Sequence, residues 1–188
     1  MNPEAVYPAL ESHLATFFEG HARETFVWPA GPIREVLPRF KVIRFAPGPR
    51  TIHWVYASLG TWEVNAGEPR GLEFFVIAPG EDQVHVEFLA MAAHYHLNHK
   101  LAKWHSYPIG RPWLPGSQLD HVLVSLPYPF GSDLEICELP EGHVHFLWLL
   151  PISATERAFK KEHGADALED LLEARQIDYA DPMRASVA

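Results

Sequence analysis

Residues 82–105, DQVHVEFLAMAAHYHLNHKLAKWH, contain neither glycine nor proline, in a chain of 188 residues that carries 12 Gly and 17 Pro. Val84, Phe88, Met91, Ala92, Tyr95, Ala102 and Trp104 recur through it at steps close to three and four, which predicts a long central helix. The stripe Val84, Phe88, Met91 and Tyr95 is expected to pack on a sheet. That helix separates two regions of another texture. Before it, FKVIRFA (40–46), TIHWVYASL (51–59) and LEFFVIA (72–78) are rich in β-branched and aromatic residues. Pro47-Gly48-Pro49, Asn65-Ala66-Gly67 and Pro79-Gly80 punctuate them, as turns punctuate strands. After it, LDHVLVS (119–125), DLEICEL (133–139) and HVHFLWLL (143–150) predict further strands. A turn at Pro140-Glu141-Gly142 makes the last two a hairpin.

The termini read as helical. Val6, Leu10, Leu14 and Phe17/Phe18 give residues 3–19 an apolar stripe, with Pro8 disturbing the first turn. Ser153-Ala154-Thr155-Glu156 is a capping box that opens a helix to about His163, where Gly164 ends it. An acidic helix follows over 165–175, with Leu168, Leu171 and Leu172 as its apolar side. This order, without strict βαβ alternation, defines an α+β class: a mostly antiparallel mixed sheet packed on the central helix, with terminal helices. One domain is expected over 1–188, with an N-terminal helix in 1–20, a core over about 25–178, and a tail at 179–188 that has little to bury. At 21.3 kDa such a chain hides about 70% of its extended surface, enough for a core without disulfides or a structural metal.

Charge narrows the function. The net charge is −9, and no cluster of Lys and Arg offers a phosphate track, so a nucleic-acid partner is not expected. No run reaches the length of a membrane span. The single Cys137 excludes an intrachain disulfide and a zinc site built from cysteines, and reads as a small core residue in a strand. Met1 to Gly20 carries Glu4, Glu11 and Glu19 but no Lys or Arg, unlike a signal peptide, so a cytoplasmic location is expected.

Histidine is over-represented, with 12 in 188 residues. His94, His96 and His99 crowd the central helix, with His85 and His105 near its ends, and His143 and His145 share one strand face. Only His96 and His99 have a ligand spacing on one helix face, and the HExxH pattern is absent. A histidine-based metal protein or metal-dependent hydrolase is therefore the alternative reading; structural histidines, no metal and no cofactor are the leading one. No GxSxG elbow and no phosphate-binding glycine loop occur. Ser117, Asp120 and His121 lie close in sequence, but a triad draws its members from separate loops, and Ser117 reads as a turn cap before a strand.

The most distinctive stretch is HSYPIGRPWLPGSQLDHVLVSLPYPFG at 105–131, which opens on a loop over 106–117 whose course three prolines fix and two glycines free. With FLWLLPISATE at 146–156 it resembles the suppressor-of-fused domain, particularly its bacterial members. The matching residues are His105, Gly110, Pro112, Gly116, Ser117, Leu119, His121, Pro127 and Pro129, then Leu150, Pro151, Ile152, Ser153 and Glu156. Asp181-Pro182-x-Arg184-x-Ser186-Val187 closes the pattern. The resemblance runs in order over about 45–188 and is densest over 105–156.

It implies a non-enzymatic domain. Animal members bind a transcription-factor peptide, no catalytic residue is associated with the fold, and bacterial single-domain members are proposed immunity proteins that neutralise toxins. An acidic inhibitor facing a basic toxin also suits electrostatic steering. The expected partner is thus a protein or peptide; no oligomeric state follows. The expected contact residues are His105, Tyr107, Gly110, Arg111, Pro112, Trp113, Ser117 and His121, beside an open sheet edge. Trp113 has two readings, a contact anchor or a plug that seals the core.

Overall fold

The computed structural model describes residues 2–188. In chain order the elements are α1 (Pro3–Phe17), β1 (Arg23–Val27), α2 (Pro32–Val36), β2 (Lys41–Phe45) and β3 (Trp54–Leu59). A 3-10 turn (Thr61–Asn65), β4 (Arg70–Ala78), α3 (Val84–His99), β5 (Ser106–Pro108) and β6 (Leu119–Ser125) follow. The chain ends with α4 (Ser132–Glu135), β7 (Ile136–Leu139), β8 (Gly142–Ser153), α5 (Ala154–His163) and α6 (Ala165–Ala174). The class is α+β, as the sequence predicts. The hydrogen-bonded strand order is β1-β2-β3-β4-β8-β6-β5, with β7 also on β8. Two compact units divide the chain: one runs to Leu101 and resumes over Leu126–Trp148, the other takes Ala102–Ser125 and Leu149–Ala188.

In the first unit β1 to β4 form an antiparallel meander, and β4 then pairs in parallel with β8, from Arg70↔His143 to Phe75↔Trp148. Side chains alternate between the sheet's two faces. Tyr56 and Phe74 point to α3, where their rings meet His85 at 5.0 Å and His96 at 5.7 Å. Phe45 and Phe75 point the other way. Phe45 stacks on Phe18 at 4.4 Å, just past the end of α1, and Phe75 meets Phe130 and Trp148. The predicted hairpin is present, with Leu139 opposite Gly142. Gly142 has φ 149, and a Cβ there would lie 2.0 Å from the Pro69 carbonyl oxygen, so no larger residue fits.

Several expectations change. The buried side of α3 is His85, Val86, Phe88, Leu89, Ala90, Ala92, Ala93 and His96; Met91 is 43% exposed and Val84 and Tyr95 are half-buried. The predicted stripe therefore shares only Phe88 with the core. Two histidines in the buried row hid the true face, because histidine reads as polar. The predicted strand at 133–139 begins as the short helix α4 and becomes strand only at Ile136. Pro8 leaves α1 continuous from Pro3, with Asn2 capping it through a bond from the Glu4 N–H.

In the second unit β5 runs antiparallel to β6, and α5 packs against α6 and β6. Leu168 and Leu172 are buried. The capping box forms: Ser153 Oγ accepts from the Glu156 N–H at 3.1 Å, and the Ser153 N–H donates back to Glu156 at 2.8 Å. The tail is not idle. Ala180 and Arg184 are buried, contrary to the expectation that residues 179–188 have little to bury.

Candidate partner-binding site

The loop between β5 and β6 is tied at several levels. Pairing starts before β5, where the Trp104 N–H donates to Val124 O at 2.6 Å and the Val124 N–H to His105 O at 2.9 Å. Trp104 adopts φ 69, rare for a non-glycine residue, and Lys103 Nζ sits 4.1 Å from its ring centre. Tyr107 then faces Val122, and Pro108 faces His121. Beyond the strand, Ile109 N–H donates to Asp120 O at 2.8 Å and Trp113 N–H to Leu119 O at 2.7 Å. Gly110 turns the chain between these ties with φ 87.

This arrangement sorts the predicted contact residues. Tyr107, Trp113 and Ser117 are buried, Trp113 to 3% exposure. His105, Gly110, Arg111 and Pro112 are exposed, and His121 is half-buried. The three inward side chains hold the loop down while Gly110-Arg111-Pro112 projects. Ser117 is a turn cap: its Oγ accepts from the Leu119 N–H at 3.0 Å and donates to Pro182 O at 2.5 Å. With both roles committed, it is not poised as a nucleophile. His121 Nδ1 lies 2.7 Å from its neighbour Asp120.

The histidines of α3 have different surroundings. His96 turns inward, with Nε2 2.8 Å from Asn65 Oδ1, whereas exposed His99 stacks on Tyr95 at 3.9 Å. Burial holds His85 down at about 4, so it is neutral at pH 7. Among the described residues no three His, Cys, Asp or Glu side chains converge as metal ligands. Burial raises the Cys137 thiol to about 11, which makes it unreactive at neutral pH.

The sequence reading missed the polar centre that backs the loop. Glu156, besides capping α5, forms a two-pronged pair with Arg184: Nη1 to Oε1 at 2.6 Å and Nη2 to Oε2 at 2.9 Å. Arg184 Nη2 also donates to Pro151 O, and the Val187 N–H donates to Glu156. Burial works to raise the Glu156 carboxyl, but the Arg184 guanidinium and two backbone N–H groups hold it below the usual range. The family-like residues Gly116-Ser117, LPIS..E and DP.R.S are thus parts of one hydrogen-bonded assembly. That joint role was readable only as a pattern.

Together these features describe an α+β protein with a surface loop fixed in shape by its own hydrogen bonds. The comparisons agree. Residues 37–185 match the family model described as Suppressor of fused protein (SUFU). The crystal structure of a SUFU homologue from Neisseria gonorrhoeae FA 1090 is 38% identical, with a TM-score of 0.86 over 97% of this chain and 96% of that one. The chain belongs to the suppressor-of-fused family. Immunity protein YqcF of Bacillus subtilis (strain 168) is 39% identical over 71 residues, a stretch that covers 38% of this chain and only 37% of YqcF. At 14% identity, Drosophila Suppressor of Fused shares the fold with a TM-score of 0.66; all of this chain aligns, to 54% of that one. The Sufu-Fu complex structure also shares it, at 16% identity and a TM-score of 0.73 over 99% of this chain and 93% of that one.

Proposed function

We propose that this chain is a non-enzymatic protein-binding domain of the cytoplasm that acts as an immunity protein, neutralising a toxin by direct contact. The observation that carries the reading is the loop itself: Gly110-Arg111-Pro112 stands exposed between two backbone ties while Tyr107, Trp113 and Ser117 hold its base. A loop already fixed in shape loses little entropy on docking, and arginine is among the residues that dominate interfaces. His105 extends the exposed surface and His121 its margin. The partial likeness to YqcF supplies the immunity role. The net charge of −9 favours fast encounter with a basic toxin.

The test is growth rescue. Toxin domains encoded beside this chain's gene are expressed in a sensitive host with and without it. Rescue by the wild-type chain, lost in a folded Arg111→Glu variant, is expected. If no neighbouring toxin is neutralised, the immunity reading fails; if Arg111→Glu rescues as well as wild type, the loop is not the contact.

A further inference from the structure

We propose that the C-terminal segment Asp181–Val187 is a latch that fixes the shape of the loop between β5 and β6, with Arg184 as its anchor. The inference rests on that loop being the partner-binding face, and it adds a positioning residue remote from it in sequence. The segment is held at two places. At one end Arg184 pairs with Glu156 through both oxygens, and both side chains are buried, at 5% and 0% exposure. Ser186 Oγ adds contacts with the Ser153 and Thr155 hydroxyls at 2.8 and 2.7 Å.

At the other end the segment grips the loop. Pro182 O accepts from Ser117 Oγ, and the Met183 side chain passes 3.6 Å from where a Gly116 Cβ would lie. Ser117 is the point of leverage. The bond to Pro182 consumes its hydroxyl proton, which leaves the oxygen's lone pairs aimed at the Leu119 N–H. Leu119 O in turn accepts from Trp113, the residue at the base of the exposed turn. A chain of bonds therefore leads from Arg184 through the backbone to Pro182, Ser117, Leu119 and Trp113. A bidentate guanidinium–carboxylate pair gives such an anchor directional rigidity that a lysine would not.

Amide hydrogen exchange tests this without any partner. In Arg184→Met, the Ile109, Trp113, Ser117 and Leu119 amides should exchange at least about tenfold faster through local opening, at rates insensitive to low denaturant, while Val55, Ile77 and other β3 and β4 amides accelerate only as far as the global stability falls. If Arg184→Met does not fold, Arg184→Lys, which keeps the charge but not the two-pronged geometry, should give a smaller acceleration at the same loop amides. Loop amides that exchange at wild-type rates in a variant whose 183–187 amides have lost protection would overturn the latch. The two proposals fail separately. Loop loosening with toxin rescue insensitive to Arg111→Glu keeps the latch and rejects the binding face. A rigid loop with sensitive rescue does the reverse.

Discussion

Glu73 on β4 and Glu156 on α5 are both fully buried, at 0% exposure, and their surroundings settle that burial in opposite ways. Around Glu73 every donor is neutral: Ser58 Oγ at 2.5 Å and the backbone N–H groups of Gly60, Thr61 and Trp62 at 2.6–3.3 Å. Desolvation outweighs these bonds and raises its carboxyl to about 7. Around Glu156, Arg184 supplies a full charge, and the carboxyl stays below the ordinary range despite burial. At Glu73 hydrogen bonds to neutral donors do not offset the cost of burial, whereas at Glu156 the Arg184 counter-charge does. Glu73 therefore braces a turn, and Glu156 clamps a distant segment of chain.

The largest effect should come from removing that counter-charge. Arg184→Met leaves Glu156 buried without its partner and should cost about 3–5 kcal/mol, read from chemical denaturation at pH 7. Replacing both Arg184 and Glu156 with methionine should recover much of the loss, since no lone charge remains. A double variant as unstable as the single would mean that the helix cap and the Ser153 and Val187 N–H bonds that Glu156 also supplies, and not its lone charge, set the cost.

Next in size is a pair of opposed pH effects in the first unit. Glu73 rises from 4.5 to about 7 on folding, so the folded state binds more protons and stability falls as pH rises between those values. His85 drops from 6.5 to about 4, so the unfolded state binds more protons and stability rises over that window. Each spans about 3 kcal/mol at 1.36 kcal/mol for each pH unit. They oppose one another between pH 4.5 and 6.5. Glu73→Gln should leave a stability that climbs from pH 4 to 6.5, and His85→Phe one that declines from pH 4.5 to 7. Parallel profiles for wild type and both variants would show that neither group titrates on unfolding.

The two carboxylates also mark where sequence reading stops. Elements set by local pattern were legible: β6 at Leu119–Ser125, the hairpin at Gly142, and the capping box that already made Glu156 a cap. Its bond to Arg184 crosses 28 residues, and no periodicity reports it. Glu73 sits in the apolar run LEFFVIA, where a single acid reads as a solvent-facing alternate. β1, RETFV, was missed because its side chains are mostly exposed and carry no buried alternation. In the candidate site, motif and loop chemistry marked the residues, but a proline-fixed loop has no repeat from which to tell Tyr107, Trp113 and Ser117, which point in, from Arg111, which points out.

A surface arginine offers the smallest and sharpest contrast with Arg184. Arg44 also meets two carboxylate oxygens, Glu24 Oε2 at 2.5 Å and Glu81 Oε1 at 2.6 Å, but these belong to separate side chains that are 56% and 55% exposed. Its guanidinium lies over the Phe26 and Trp54 rings at 5.3 and 5.0 Å, so much of its holding energy is stacking on the sheet and not pairing. Water already solvates both acids, and salt screens what attraction remains. Replacing Glu24 and Glu81 together with glutamine should therefore cost at most about 1 kcal/mol, and less at 1 M salt. The Arg184→Met cost should hardly change with salt, because no ions reach that pair. Measuring both variants in low and high salt separates the cases. A large loss from the surface change that survives 1 M salt would mean that Arg44, like Arg184, works in a site closed to solvent.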